Sequence, residues 1–254
     1  MRPRPANQLR EVRIERHYPT HAPGSVLMEM GETRVLCTAS VSRDVPGFLI
    51  DKATGLARSG WITAEYAMLP GSTPGRKDRK IDSRATEIKR LIGRALRAAV
   101  DLDKMPGVAI TCDCDVLKAD GGTRTASITG AFVALADAVT WARQQGWIDP
   151  RPRPRKNPRE NPRKNPRMDP IVGPVAAVSV GVVDGKVVLD LDYALDSKAE
   201  VDMNVVMNHR GQYIEVQGTG EHGTFDGQQL NAMLGMARRG IKQLIAAQRK
   251  ALGW

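Results

Sequence analysis

Residues 108–142 read VAITCDCDVLKADGGTRTASITGAFVALADAVTWA, and they contain the strongest structural signal in the chain. Apolar and polar residues alternate as far as Leu117, which is typical of a half-buried strand. From about Ala126 onwards, apolar residues recur three and four positions apart, which predicts the buried face of a helix. The segment between the two patterns is therefore a strand-to-helix entry. The apolar positions of the helix are Ile128, Ala131, Phe132, Leu135, Ala136, Val139 and Ala142.

This entry combines two glycines and an arginine with threonines on both sides. The first N–H groups of a helix have no partner within the helix and lie at the positive end of its dipole, so they attract anions. Gly121 and Gly122 would let the backbone approach a ligand, and the planar guanidinium of Arg124 matches two oxygens of a phosphate or carboxylate. Alternatively, the glycines only turn the chain, a neighbouring threonine caps the helix, and Arg124 pairs with Asp120. These residues alone leave both interpretations open.

Composition sets limits on the class of protein. At 254 residues the chain is long enough for one large domain or two modest ones. No apolar run reaches membrane-spanning length and the opening MRPRPANQLREV lacks a signal-peptide core, so we expect a cytoplasmic protein with no membrane partner. Three cysteines argue against a disulfide framework. Cys112 and Cys114 share a strand face with Ile110, and we interpret them as small buried hydrophobic residues rather than metal ligands.

The net charge of +10 is concentrated in one segment. Residues 151–167 contain eight basic residues and one acidic residue, which gives +7 and leaves +3 for the rest of the chain. Within 149–170, DPRPRPRKNPRENPRKNPRMDP, an Asn-Pro-Arg triplet occurs three times. Proline fixes φ and removes backbone donors, so we expect an exposed loop with partial polyproline II character. It is either a solvated spacer or an arm that attracts phosphate groups and loses its effect in salt.

The basic loop separates two loosely similar halves, at about 10–148 and 171–252, which we interpret as one compact domain over 1–254. In each half, strands joined by tight turns are followed by helices. Strands flank the turn at residues 31–33 in the first half and the turn Asp184-Gly185 in the second. This order indicates an α+β fold rather than a doubly wound parallel sheet.

Residues 218–223, Gly-Thr-Gly-Glu-His-Gly, match the G-x-G-x-x-G pattern of dinucleotide-binding loops. They follow a predicted strand and precede a helix that we expect from about Asp226 to Lys250. No second parallel strand follows that helix to carry an acidic residue for the ribose. We therefore do not interpret this motif as a cofactor site.

A helix expected over residues 82–102 has an arginine-rich side. Arg90, Arg94 and Arg97 follow one another at helical spacing, and Arg84 lies at the N-terminal end. The stripe is either a solvated face, with long stems covering apolar surface, or a surface that binds a polyanion such as RNA.

Acidic residues are concentrated in residues 189–205, LDLDYALDSKAEVDMNV. On one continuous strand Asp196 and Asp202 would be about 20 Å apart, too far to share an ion. The intervening Ser-Lys-Ala-Glu is poor strand sequence, and a turn there would bring the two aspartates together at the mouth of a hairpin. Two such carboxylates could bind Mg²⁺, and one could donate or accept a proton. The alternative is a polar connection with solvated charges.

Several long blocks of this sequence resemble members of the bacterial ribonuclease PH family. These proteins are phosphate-dependent 3′-to-5′ exoribonucleases of tRNA maturation. The resemblance covers nearly the whole chain and is carried by MRPRPANQLREV, GSVLMEMGETRVLCTASV, GWITAEYAMLPGST, EIKRLIGRALRAAVDL, CDVLKADGGTRTASITGAFVALADA, PVAAVSVGVVDG, DSKAEVDMNVVM and EVQGTGE. It implies a fold of two ribosomal-protein-S5-domain-2-like halves. It also implies a homohexameric ring assembled as a trimer of dimers.

The resemblance further implies roles for individual residues. In the family, the arginine before the T-x-E-I segment and the Gly-Thr-Arg of GGTRT bind inorganic phosphate. The acid pair of D-S-x-A-E-x-D, here Asp196 and Asp202, is implicated in Mg²⁺ binding and catalysis. The implied phosphate-binding residues of this chain are Arg84, Gly122, Thr123 and Arg124.

The implied reaction is the attack of phosphate on the 3′ end of a tRNA precursor, with reversible release of nucleoside diphosphates. Two departures from the family pattern are Ser83, where glycine is common, and Lys89, where glutamine is common. The basic loop at 149–170 is a larger departure. Two alternatives are a catalytically silent RNA-binding ring subunit and a hydrolytic Mg²⁺-dependent nuclease.

Overall fold

The computed structural model describes residues 4–79, 83–148 and 169–254. The first half contains the following elements: β1 (Val12–Arg16), β2 (Gly24–Met30), β3 (Thr33–Ser42), β4 (Trp61–Met68), α1 (Ser83–Arg97), β5 (Ala109–Lys118) and α2 (Thr123–Gln144). The second half contains β6 (Val175–Val183), β7 (Lys186–Leu189), α3 (Tyr193–Asp196), β8 (Val201–Asn208), β9 (Tyr213–Gly220) and α4 (Gly227–Leu252).

Each half is built on its own sheet. The first sheet has the strand order β1-β2-β3-β5-β4, and its pairs are antiparallel except for the parallel pair β4 and β5. The second has the order β7-β6-β8-β9 and is antiparallel throughout. The predicted α+β fold is therefore confirmed.

Helix α2 forms the centre of the core. It packs against β2, β3 and β5 of the first sheet and β6 of the second, and Ile128, Phe132 and Leu135 are fully buried. The sequence was expected to contain no apolar run of membrane-spanning length, yet α2 is long and apolar enough to qualify. Because 89% of that apolar window is buried inside the fold, α2 is the core helix of this domain.

Both predicted hairpins are present. Met30 pairs with Thr33 across the turn between β2 and β3, and Val183 pairs with Lys186 across the turn between β6 and β7. Asp184 and Gly185 both have positive φ, at 49° and 69°. Two positive φ values in succession are typical of the primed turns whose twist matches paired strands.

Helix boundaries differ from the predictions at two places. Helix α2 begins at Thr123 rather than near Ala126, directly after two glycines with φ of +72° and +66°. Helix α1 ends at Arg97 rather than at residue 102, and residues 102–104 form a separate 3₁₀ turn. Helix α4 begins at Gly227, and the preceding Asp226 caps it through a capping box with Gln229.

The interpretation of Cys112 and Cys114 as small buried residues is confirmed. Cys112 and Cys114 are buried on β5 beside Ile110, and all three cysteines of the chain are free. The first three residues of the G-x-G-x-x-G segment end β9, which pairs antiparallel with β8 and is followed only by α4 among the described elements. The basic loop lies outside the described residues from 149 to 168, so its conformation stays a prediction.

Candidate active site

A cleft of about 990 Å³ lies where the two halves meet. Its walls come from residues 71–77, the C-terminal end of β5, the start of α2, helix α3 and strand β8. The structure brings six of the predicted site residues together in this cleft: Arg84, Gly122, Thr123, Arg124, Asp196 and Asp202. The three arginines of the α1 stripe do not line it.

The glycines at the start of α2 are required by the packing of the chain against itself. A Cβ on Gly121 would lie 2.6 Å from the carbonyl oxygen of Leu191 and 2.8 Å from the backbone nitrogen of Tyr193. We expected these glycines to make room for a ligand, whereas Gly121 makes room for the second half. No side chain caps α2 at Gly122, the residue before the helix begins, so the first N–H groups of the helix have no side-chain partner beside the cleft and suit an anion.

A buried network holds this glycine loop from behind. Arg10 forms an ion pair with Asp190, with Nη2 and Oδ1 2.7 Å apart, and its Nη1 donates to the carbonyl oxygen of Asp120 at 2.5 Å. The Thr33 hydroxyl donates to the carbonyl oxygen of Gly121 at 2.7 Å and accepts from the Asp120 N–H at 3.0 Å. The loop is thereby attached to both halves of the domain.

Arg124 is held at the cleft by residues from two other elements. Its Nη1 donates to Oε1 of Gln217 on β9 at 3.0 Å, and its Nη2 lies 3.7 Å from Oε2 of Glu87 on α1. The alternative pairing of Arg124 with Asp120 is therefore wrong, because Asp120 faces Arg10 at 3.9 Å instead. The side chain of Arg124 is only 19% exposed, which favours a fixed orientation.

Thr123 and Arg84 complete the basic side of the cleft. The hydroxyl of Thr123 lies 2.8 Å from that of Tyr66, so Thr123 is fixed inside the first turn and does not cap the helix. Arg84 is exposed at the start of α1. Burial raises the pKa of both Tyr66 and Asp196. The positive charges of Arg84 and Arg124 oppose this shift but do not cancel it.

The two aspartates approach each other through a helical turn. Asp196 ends the short helix α3, and Asp202 is the second residue of β8, a strand in the middle of its sheet. The predicted hairpin mouth is therefore wrong, although the predicted break between the two residues is correct. The four residues of α3 and the turn that follows bring the chain back to the sheet at β8.

Both carboxyl groups bind protons more tightly than usual. Burial, followed by the nearby carboxylate of Asp196, raises the pKa of Asp202 to about 6, although Arg124 opposes the shift. Burial and Glu221 raise the pKa of Asp196. The Oδ1 atom of Asp202 is buried and has no hydrogen-bond partner. A buried carboxylate oxygen without a partner is costly, and a cation or a proton would satisfy it.

The acid pair fits a magnesium ion. Mg²⁺ prefers oxygen ligands, keeps several of its waters and is commonly bound through one or two carboxylates. Two adjacent carboxylates, one with an unpartnered oxygen, match this preference. Within the described parts of the chain, no group of three or more His, Cys, Asp or Glu side chains is arranged to hold a metal ion. The chemistry of these residues therefore suits Mg²⁺ better than a metal that needs a full protein cage.

The arginine stripe of α1 lines a second, smaller groove against β4. Arg94 forms an ion pair with Glu215 of the second half at 2.8 Å. Arg97 donates to the carbonyl oxygen of Ile62 at 2.8 Å and lies 4.8 Å from the ring of Trp61. Arg90 is exposed beside them. The stripe is thus partly structural, with Arg90 as its most accessible member.

Comparisons with known proteins agree with this arrangement. Residues 8–140 match the model of the 3′ exoribonuclease family, domain 1, and residues 173–240 match that of the 3′ exoribonuclease family, domain 2. The chain therefore belongs to the 3′ exoribonuclease family. The activity expected from the sequence, that of an exoribonuclease, is confirmed by this membership.

Within the family, the chain is similar to ribonuclease PH. It is 52% identical over 252 residues to ribonuclease PH of Synechococcus sp. (strain JA-2-3B'a(2-13)), with coverage of 98% of this chain and 95% of the relative. It is 50% identical over 255 residues to ribonuclease PH of Corynebacterium glutamicum (strain R), with the same coverage of both chains. The resemblance inferred from the sequence is confirmed.

Solved structures support the fold. A chain of the Archaeoglobus fulgidus exosome, solved with RNA bound to the active site, has a TM-score of 0.75 and 19% identity, and the match covers 95% of this chain and 89% of that one. Rice Rrp46 has a TM-score of 0.72 and 19% identity, with 99% and 98% covered. At this identity the similarity concerns the architecture alone.

Proposed function

We propose that this protein is a phosphate-dependent 3′-to-5′ exoribonuclease that trims the 3′ ends of tRNA precursors and releases nucleoside diphosphates. One observation carries the proposal: a helix N-terminus with Arg124 and Arg84 faces the acid pair Asp196 and Asp202 across one cleft. The first group suits an anionic nucleophile and the second suits a cation or a proton donor. Phosphorolysis requires both, since it brings two anions together and breaks a phosphodiester bond.

In the proposed mechanism, the N–H groups at the start of α2 and the guanidinium of Arg124 bind inorganic phosphate. Phosphate is already an anionic nucleophile, so no side chain has to deprotonate it. Gln217 and Glu87 fix Arg124, and the network of Arg10 and Thr33 fixes the glycine loop. This fixed geometry favours attack because the reacting atoms do not have to be ordered during the reaction.

The scissile phosphate is proposed to lie between the bound phosphate and the acid pair. One oxygen of inorganic phosphate attacks its phosphorus, and the bond to the 3′ oxygen of the remaining RNA breaks. Arg84 offsets the negative charge that develops, and Asp202 donates a proton to the leaving oxygen. A pKa of about 6 suits this step because the group can hold a proton near neutral pH. Mg²⁺ held by Asp196 and by the unprotonated oxygen of Asp202 would supply additional charge neutralisation.

RNA upstream of the reacting end is proposed to contact the groove beside α1. Arg90 is the exposed member of the stripe, and Lys89 and Arg94 lie next to it in the same groove. Contacts between arginine side chains and backbone phosphates do not depend on base sequence. This property suits an enzyme that removes successive nucleotides.

We further propose a cytoplasmic homohexamer assembled as a trimer of dimers, as the resemblance to ribonuclease PH implies. Sedimentation velocity of the purified protein tests this part of the proposal. A hexameric mass is expected, and a monomer over the working range of concentrations would refute it.

The decisive experiment identifies the released nucleotides. Purified protein with Mg²⁺ is incubated with an RNA that has a short single-stranded 3′ tail, with and without inorganic phosphate. We expect nucleoside diphosphates, and only when phosphate is present. Monophosphates released without phosphate would show a hydrolytic nuclease. Binding of RNA without release would show a silent ring subunit.

A further inference from the structure

Tyr193 is an aromatic residue exposed in an otherwise polar cleft. Tyr193 is 68% exposed. Among the cleft-lining residues that the structure describes, it is the one aromatic side chain. A single exposed aromatic residue is ordinary on a protein surface, so its position relative to the reacting groups has to decide its role.

The backbone of Tyr193 lies against the phosphate-binding loop. Its N–H donates to Oδ1 of Asp120 at 3.4 Å, and its nitrogen is one of the atoms that a Cβ on Gly121 would meet. Tyr193 is therefore fixed beside the start of α2 even though its side chain is free. The backbone of Tyr193 therefore cannot move away from the anion site without separating the two halves at this point.

Tyr193 also lies one helical turn before Asp196. Helix α3 is capped by Asp192, whose side chain accepts from the Leu195 N–H at 3.0 Å, and the Asp196 N–H donates to the Asp192 carbonyl oxygen at 2.8 Å. Residues three apart on a helix are neighbours on one face. The ring therefore lies on the same side of α3 as the carboxylate that we assign to the reacting end of the RNA, and both residues line the cleft.

We propose that Tyr193 is an RNA-binding residue that stacks on one of the two bases flanking the scissile phosphate. This inference rests on the proposed function, because it places the 3′ end of RNA in this cleft. A stacking ring tolerates any base, since every base has a π-face. It would hold successive 3′ ends at the same depth, so that each new terminal nucleotide is placed in register with the bound phosphate.

The test uses RNAs that carry the fluorescent base 2-aminopurine at the terminal or at the penultimate 3′ position. Binding is measured without phosphate and in EDTA, so that no turnover is needed. Wild-type protein is expected to quench the fluorescence of one of these two RNAs. Tyr193→Ala is expected to lose the quenching, whereas Tyr193→Trp retains it. None of the three proteins is expected to change the signal of an RNA labelled several nucleotides upstream.

Kinetics provide the second readout. Tyr193→Ala is expected to raise the KM for RNA about 5-fold or more while leaving the KM for phosphate unchanged. Phe48→Ala is the control, because Phe48 is 69% exposed and does not line the cleft. It is expected to behave as wild type in both assays.

The outcomes separate this inference from the proposed function. Normal phosphorolysis with unchanged quenching and unchanged KM in Tyr193→Ala would overturn the stacking role alone. Quenching that depends on Tyr193 without any release of diphosphates would support stacking and refute phosphorolysis. A change in sedimentation behaviour of Tyr193→Ala, with quenching intact, would show that the ring serves an interface between subunits and would also overturn the inference.

Discussion

Substitution of Asp202 by asparagine is expected to stabilise the folded protein at alkaline pH while abolishing turnover. The pKa of Asp202 is raised from 3.8 to about 6 in the fold. The folded state therefore binds this proton more tightly than the unfolded chain does, and stability is lost as the pH rises from 3.8 to about 6. Since each pKa unit corresponds to about 1.4 kcal/mol, ionised Asp202 costs the folded state about 3 kcal/mol above this range.

An asparagine at this position carries no charge, but its buried amide still needs partners, so we expect a net gain of about 1–3 kcal/mol at pH 8. For a chain of this size, that gain corresponds to an increase in Tm of about 2–12 °C. The measurement is thermal unfolding in EDTA at a series of pH values and one fixed protein concentration. Asp44→Asn, which removes an exposed charge, is the control and is expected to change Tm little.

The dependence on pH is the critical part of this prediction. The advantage of Asp202→Asn should shrink as the pH falls below about 6, because wild-type Asp202 then becomes neutral in the fold. Added Mg²⁺ should stabilise the wild type more than the variant. An Asp202→Asn protein that is less stable than wild type at pH 8, or whose advantage is the same at every pH, would show that ionised Asp202 imposes no such cost.

Four further predictions concern the phosphate site, the metal and the basic loop. Arg124→Ala is expected to raise the KM for phosphate about 10- to 100-fold, because a charge-assisted hydrogen bond is lost. An unchanged KM in steady-state assays would remove Arg124 from the site. Thr33→Val breaks two hydrogen bonds to the glycine loop and should raise the same KM with little effect on RNA affinity, whereas Thr33→Ser should behave as wild type. The Mg²⁺ concentration for half-maximal activity should rise as the pH falls through about 6, since protons and metal compete for Asp202; a flat profile would contradict metal binding there. Deletion of residues 151–167 should weaken RNA binding mainly at low salt, and an unchanged salt slope would favour a spacer.

Local patterns were sufficient to predict most elements of the fold. The hairpin at Asp184-Gly185 follows from turn chemistry, and α4 follows from the periodicity of its apolar residues. The start of α2 was misplaced because two consecutive left-handed glycines allow the helix to begin at once. The apolar periodicity becomes visible only a turn later, since the first turn is buried through Thr123 and Thr125 rather than through aliphatic residues.

The candidate site was predictable only in part. A cluster of glycines and an arginine at a helix start is a local signal, as is a break between two aspartates. Arg10 and Asp190 are 180 positions apart, and no local sequence pattern predicts that they pair. Gln217 is likewise remote in sequence from Arg124, at 93 positions. Asn204, which also lines the cleft, had an accessible signal, because it lies two residues after Asp202 and therefore on the same face of β8.

The attachment of the glycine loop to Asp190 has a consequence for synthesis of the protein. A ribosome that has translated only the first half has made Arg84, Arg124 and the start of α2, but neither the aspartate that holds Arg10 nor the two that face the anion site. Domains fold in order as they emerge, yet here the nascent first half has no complete reaction centre. An enzyme that shortens RNA is thus made beside messenger and transfer RNA in a form that becomes competent only when translation of its last sheet is finished.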